Sequence, residues 1–211
     1  MNWRSAALVL PLLSAAICWW HLYTREVERA SVAWLGAFVA CASVSLVPQV
    51  IGFAGAYDRW PYLTFAPLDW SLWFGPTLYL HVHRLMLSRP PSGHGWWFAP
   101  GALYALYQLW AFLLPDVATK WSFNDRVHEP FILPAVFAIG LGLVALALAG
   151  MWRLRQRYLR WLEDHHADGA RFEPVWLTRM AYIALPLALV WILEFVLGNT
   201  FGLDYVQRYG G

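Results

Sequence analysis

Long apolar runs alternate with short polar segments along this chain, and six of the runs approach the roughly 20 residues that an α-helix needs to cross a hydrocarbon core. Their limits predict helices over about 5–23, 31–55, 67–87, 96–114, 131–152 and 175–197. Polar punctuation separates them: Thr24 to Arg29, then Gly55 with Tyr57-Asp58-Arg59-Trp60-Pro61, then Pro90-Pro91-Ser92-Gly93, then Pro115-Asp116. Glycine and proline at such places end helices. A polar stretch from Lys120 to Glu129 precedes the fifth run, and a longer one from Trp152 to Pro174 precedes the sixth. The expected fold is all-α: one polytopic membrane bundle over 1–211, with about six transmembrane helices.

Composition strengthens that expectation. Hydrophobic residues make up 60% of the 211 and charged residues 13%, whereas a soluble domain carries roughly 25% charge. A water-soluble fold of this size could not hide so much apolar surface. Fifteen tryptophans suit the membrane–water boundary, where Trp and Tyr anchor helix ends. The first apolar run lacks a convincing small-x-small cleavage site, so it reads as the first helix and not as a cleaved leader.

Net charge is only +2, too small to argue for nucleic acid, and no nucleic acid is expected to bind this chain itself. The distribution says more. Arg4, Arg59, Lys120, Arg126 and Arg208 fall on one side of a six-crossing bundle, and the other ten basic residues, from Arg25 to Arg179, on the other. Basic residues favour the cytoplasm, so the N-terminus is expected outside and the Trp152–Pro174 loop inside. That loop begins with Leu154, Tyr158, Trp161 and Leu162 on one helical face and arginines around the other. Such a segment suits headgroup anchoring.

Cys18 and Cys41 both lie in apolar runs and imply neither a disulfide nor a metal. His81-x-His83, His94 and His165-His166 lack the spaced clusters of a membrane metal centre, and no cofactor is expected. Asp164-His165-His166-Ala167 lacks the cysteine of a palmitoyltransferase motif. No phosphate-binding glycine loop and no G-x-S-x-G elbow is present.

Four polar side chains remain inside the expected helices: Gln49, Asp69, Gln108 and Glu194. Polar groups in hydrocarbon are costly and tend to mark function. With the orientation above, all four fall within roughly 10 Å of the outer boundary at about 1.5 Å per residue. They could line one outward-facing cavity walled by Trp70, Trp73, Trp110 and Trp191, the make-up of a small-molecule site. Ala33, Ala37, Cys41, Ser45 and Gln49 repeat at four-residue spacing, as do Gly101, Tyr104, Gln108 and Ala111 less cleanly. Pro186 predicts a kink below Glu194.

Phe74-Gly75-Pro76-Thr77-Leu78-Tyr79-Leu80-His81-Val82-His83-Arg84-Leu85 resembles the third-helix segment of membrane-embedded AraC-type transcriptional regulators. Trp97-Phe98-Ala99-Pro100 with Leu103-Tyr104 resembles that family's opening of helix four, with Trp97 in place of its usual His. Tyr158-Leu159-Arg160-Trp161-Leu162, followed by Trp176-Leu177, resembles its basic fifth loop and the start of helix six. The resemblance implies the sensory part of a seven-helix regulator in a bacterial inner membrane, here without its seventh helix and its helix-turn-helix domain.

The expected function is therefore a sensory module that binds a small amphipathic ligand in the outer half of the bundle. Gln49, Gln108, Glu194, Asp69, Trp73, Trp110 and Trp191 are its candidate contacts, membrane lipids its surroundings, and a homodimer an open option. Two alternatives stand beside it. One is an integral membrane enzyme acting on a lipid or isoprenoid, with Glu194 or Asp69 as acid or base and His128 nearby; the other is a small transporter or structural subunit.

Overall fold

The structure, a computed structural model, describes residues 3–24, 29–87 and 91–165, with isolated positions 189, 192, 193, 196 and 197. Apart from those five positions, the helix expected over 175–197 lies outside the described residues. Pro186, Trp191, Glu194 and the far part of the Trp152–Pro174 loop lie outside them too. The described residues are all-helical, and the chain divides into two compact units, residues 1–154 and 155–211.

In the first unit, α1 (Trp3–Thr24) and α2 (Arg29–Phe53) are long and apolar. A single turn, α3 (Ala56–Arg59), follows the left-handed Gly55. An irregular segment leads through a 3-10 turn at Ser71–Trp73 into α4 (Phe74–Met86). Then come α5 (Ala99–Phe112), α6 (Val117–Phe123) and α7 (Leu133–His165). Asp116 caps α6 by accepting a hydrogen bond from the Thr119 N–H.

Two boundaries differ from the sequence pattern for physical reasons. Residues 67–73, expected to open the third helix, are not α-helical, since Pro61, Pro67 and Pro76 each remove a backbone donor and crowd the turn before them. The polar stretch ahead of the fifth helix is itself helical, and a wide π-helical stretch over Asn124–Ile132 joins α6 to α7. Pro130 lies inside it, and a proline there withholds one rung of the α-helical ladder, which the wider turn accommodates.

Short α4 is the centre of this unit, with Gly75, Pro76, Thr77, Leu80, Val82 and His83 all buried. Along α2 its partners run in reverse order: Ser31 with His81, Phe38 with Phe74, and Ser45 with Trp70. Along α5 they do so again, with Tyr79 against Trp97, Trp73 against Phe98, and Asp69 against Gln108. Along α7 the order is the same as along α4, with Leu72 at Gly140, Gly75 at Leu143 and Tyr79 at Gly150. Thus α2 and α5 are antiparallel to α4, whereas α7 is parallel to it. Leu72, Tyr104 and Val136 form the apolar core where α5 and α7 meet the start of α4.

The helix with two histidines and an arginine is thus the buried one, and the apolar helices surround it. Two stretches, Ser31–Phe53 and Val117–Asp164, are long and apolar enough to cross a membrane, and only 11% of the most apolar window in each is buried. In water a helix that apolar would be the core of its domain. Here Ile17, Trp20 and Leu146 are each about 70% exposed.

In the second unit the described part is the end of α7, where Tyr158 and Trp161 stack with ring centroids 6.0 Å apart and Leu162 is buried.

Candidate functional site

The irregular segment ahead of α4 carries backbone N–H and C=O groups that no helix pairs, and those groups need partners wherever water is scarce. Side chains from three helices supply them. The Gln108 amide of α5 bonds Asp69 twice: its oxygen accepts from the Asp69 N–H at 3.1 Å and its nitrogen donates to the Asp69 carbonyl at 3.0 Å. Ser45 Oγ of α2 accepts from the Trp70 N–H at 2.8 Å. Lys120 of α6, only 2% exposed, donates from Nζ to the Tyr62 carbonyl at 3.1 Å and lies over the Phe112 ring.

These anchors fix the depth of the segment. Ser45 lies eight residues before the end of α2, about 12 Å along the axis, and Gln108 lies four before the end of α5, about 6 Å. The chain therefore enters between the helices after α3, and α4 starts from inside the bundle. Phe65 takes a left-handed φ of 66° at the turn of this path.

Asp69 sits at the tip. One carboxylate oxygen accepts from the Ser71 N–H at 3.0 Å, and the Tyr104 hydroxyl lies near the same carboxylate group. His128, from the π-helical stretch, lies within electrostatic range of Asp69 and pairs through Nδ1 with the Tyr107 hydroxyl at 2.9 Å. Tyr107 and His128 are stacked, and Phe65 meets the His128 ring edge-on at 4.9 Å. One carboxylate, one imidazole, two phenols and one amide thus gather among aromatic rings. Such a group can bind a hydroxyl, amine or amide.

Of the residues expected from sequence, the structure brings Asp69 and Gln108 together, while Trp73 lies nearer the start of α5. Trp73 is half-buried, donates from Nε1 to the Phe98 carbonyl at 3.2 Å and packs against Trp70. The buried residues of α5 are Gly101, Tyr104, Gln108 and Ala111, the four expected to share a face. Trp110 is more than half exposed and meets Phe123 edge-on.

Gln49 stands apart. It is exposed, and its amide nitrogen folds back onto the Ser45 and Leu46 carbonyls of its own helix. A strict four-residue repeat turns about 40° per step around a 3.6-residue helix. From Ala33 to Gln49 the stripe therefore wanders far around α2: Cys41 in its middle is buried, while both ends are exposed. Trp191 and Glu194 lie outside the described residues.

Sequence reasoning passed over Tyr107, Lys120 and Phe65. The three prolines between residues 61 and 76 were the available signal, because a chain segment they keep irregular needs polar side chains around it. Among the described residues no group of three His, Cys, Asp or Glu could hold a metal ion. Compared with known proteins, the chain matches no family model, no curated protein and no solved structure.

Proposed function

We propose that the chain is a multi-pass sensory module of a bacterial inner membrane, crossing it about six times with the N-terminus outside. It would bind a small amphipathic ligand in the outer half of the bundle. The observation that carries this reading is the pair of hydrogen bonds between the Gln108 amide and the Asp69 backbone. The segment at the head of α4 is held by side chains, which a ligand's own polar groups can replace. Replacement there shifts the start of α4, and α4 carries the shift to its far end, where Ser31 and His81 tie it to α2. The alternating directions of α2, α4, α5 and α7 suit successive crossings. The Gly75-Pro76-x-x-Tyr79 and Trp97-Phe98-Ala99-Pro100 segments support kinship with membrane-embedded AraC-type regulators, in which a cytoplasmic domain reads such a shift.

The test is thermal unfolding of the purified chain in detergent against a panel of small amphipathic compounds. A compound that binds here stabilises the wild type and loses that effect in Asp69→Asn and His128→Gln, which keep the fold. Stabilisation that persists unchanged in both would remove the site from consideration.

The presence of Asp69, His128 and two tyrosines in one aromatic cluster favours a second reading, an integral membrane enzyme acting on a lipid or isoprenoid. Under it Asp69 and His128 exchange a proton with the substrate. Turnover of a lipid by purified protein, abolished in Asp69→Asn, would establish that reading instead.

A further inference from the structure

A cavity of about 310 Å³ lies between α4 and α7 and shares no residue with the Asp69 cluster. Its floor is the parallel crossing, where Gly75 and Pro76 meet α7. Tyr79 and Ala147 wall it, and Trp97 and Leu146 stand at its edge. Leu146 is 71% exposed, so on this helix the opening faces the apolar outside of the bundle. The volume is at the small end of the roughly 300–1,000 Å³ typical of small-molecule sites. It has room for one hydrocarbon chain and not for two.

Both helices carry basic residues beyond the cavity. One turn past Tyr79, α4 carries His83 and Arg84; three residues past Gly150, α7 carries Arg153. No acidic residue occurs in α4, nor in α7 before Glu163. His83 is 8% exposed, its ring centroid lies 5.6 Å from that of Tyr79, and its Nδ1 has no hydrogen-bond partner. A buried nitrogen left without a partner is costly; His83 does not itself line the cavity but sits one turn beyond Tyr79, which does, and a head group extending past Tyr79 would supply the partner.

We infer that this cavity binds a single-chain anionic amphiphile from the bilayer, with its hydrocarbon chain along Tyr79 and Ala147 and its head toward His83 and Arg84. This goes beyond the reading of the Asp69 cluster and needs only that α7 face hydrocarbon.

The experiment uses the full chain, delipidated in a mild detergent, and measures binding of saturated fatty acids from octanoate to palmitate. The matching alcohols and phosphatidylglycerol serve as comparisons. Affinity is expected to rise roughly fourfold per added methylene and then level off once the cavity is full. The carboxylates should bind more tightly than the alcohols, and phosphatidylglycerol should not compete. Ala147→Leu, which fills the cavity, should weaken binding about tenfold or more. Leu146→Trp, at an exposed position that leaves the fold intact, should narrow the mouth and slow binding. The pair His83→Gln and Arg84→Gln should erase the preference for carboxylate over alcohol. Affinity that climbs with chain length without levelling would overturn the proposal, because it means partition into the micelle. So would unchanged binding in both cavity variants, equal binding of the alcohols, or competition by phosphatidylglycerol.

Discussion

Gln108 and Asp69 are joined by two hydrogen bonds that run in opposite directions between one side-chain amide and one backbone residue, at 3.1 and 3.0 Å. A glutamine is the side chain that can do this, since it offers a donor and an acceptor side by side at a reach that suits a peptide unit. Gln108 therefore stands where a neighbouring strand would stand in a sheet, and it lets irregular chain exist inside a helical bundle.

The first prediction follows directly. Gln108→Leu keeps the size but leaves the Asp69 N–H and C=O without partners, at about 1–3 kcal/mol each. Chemical unfolding in mixed micelles should show a loss of about 2–6 kcal/mol, the sum of those two costs. Unaltered stability would mean that the Asp69 backbone finds other partners easily.

Gly75 tests the crossing of α4 and α7. A Cβ there would lie 2.6 Å from the Leu143 carbonyl oxygen, a backbone atom that cannot swing aside. Gly75→Ala should therefore destabilise by about 1–3 kcal/mol, the usual cost of overpacking. Gly142→Ala in α7 is the control, since nothing lies within 4 Å of its added carbon. That change should be neutral or stabilise by up to about 1 kcal/mol through helix propensity. Equal effects of the two would argue against a close crossing.

Ser31 and His81 pin the other end of α4. Ser31, 2% exposed, lies 2.9 Å from His81 Nδ1 and donates to the His81 carbonyl at 3.1 Å. Ser31→Ala should cost about 1 kcal/mol, and hydrogen exchange should then quicken at the start of α2 and the end of α4. Exchange unchanged at both ends would show that the hydroxyl is dispensable, with the 2.9 Å contact of His81 Nδ1 to the Ser31 carbonyl and apolar packing holding them.

Lys120 is the buried cation of the described fold, and its ammonium meets one carbonyl and one ring face. Lys120→Met keeps the length and removes the charge and the bond to Tyr62. Faster proteolysis between Trp60 and Trp70, with α2 and α5 still protected, is the expected result. A cleavage pattern identical to the wild type would contradict the anchoring role.

The sequence pattern predicted the helical class because apolar runs of twenty residues leave few other structures open. It predicted the inward face of α5 because Gly101, Tyr104, Gln108 and Ala111 follow the 3.6-residue period closely. It misplaced the start of the third helix, where hydropathy counts residues 67–73 as apolar while three prolines govern the backbone. For Gln49 the four-residue spacing was read as a straight stripe, and helix geometry rotates such a stripe out of the interface. The grouping of His128 with Asp69 was open only as one alternative, since it depends on the π-helical stretch around Pro130, which residue periodicity does not reveal. Tyr107 was invisible for the same reason.

The proposed membrane setting places hydrocarbon around α2 and α7. Extraction of native membranes at high pH is the most direct test, because it strips proteins held by charge and leaves those threaded through the bilayer. The account predicts that the whole chain stays in the membrane pellet and is released only by detergent. Recovery of the folded chain in the alkaline supernatant would contradict it.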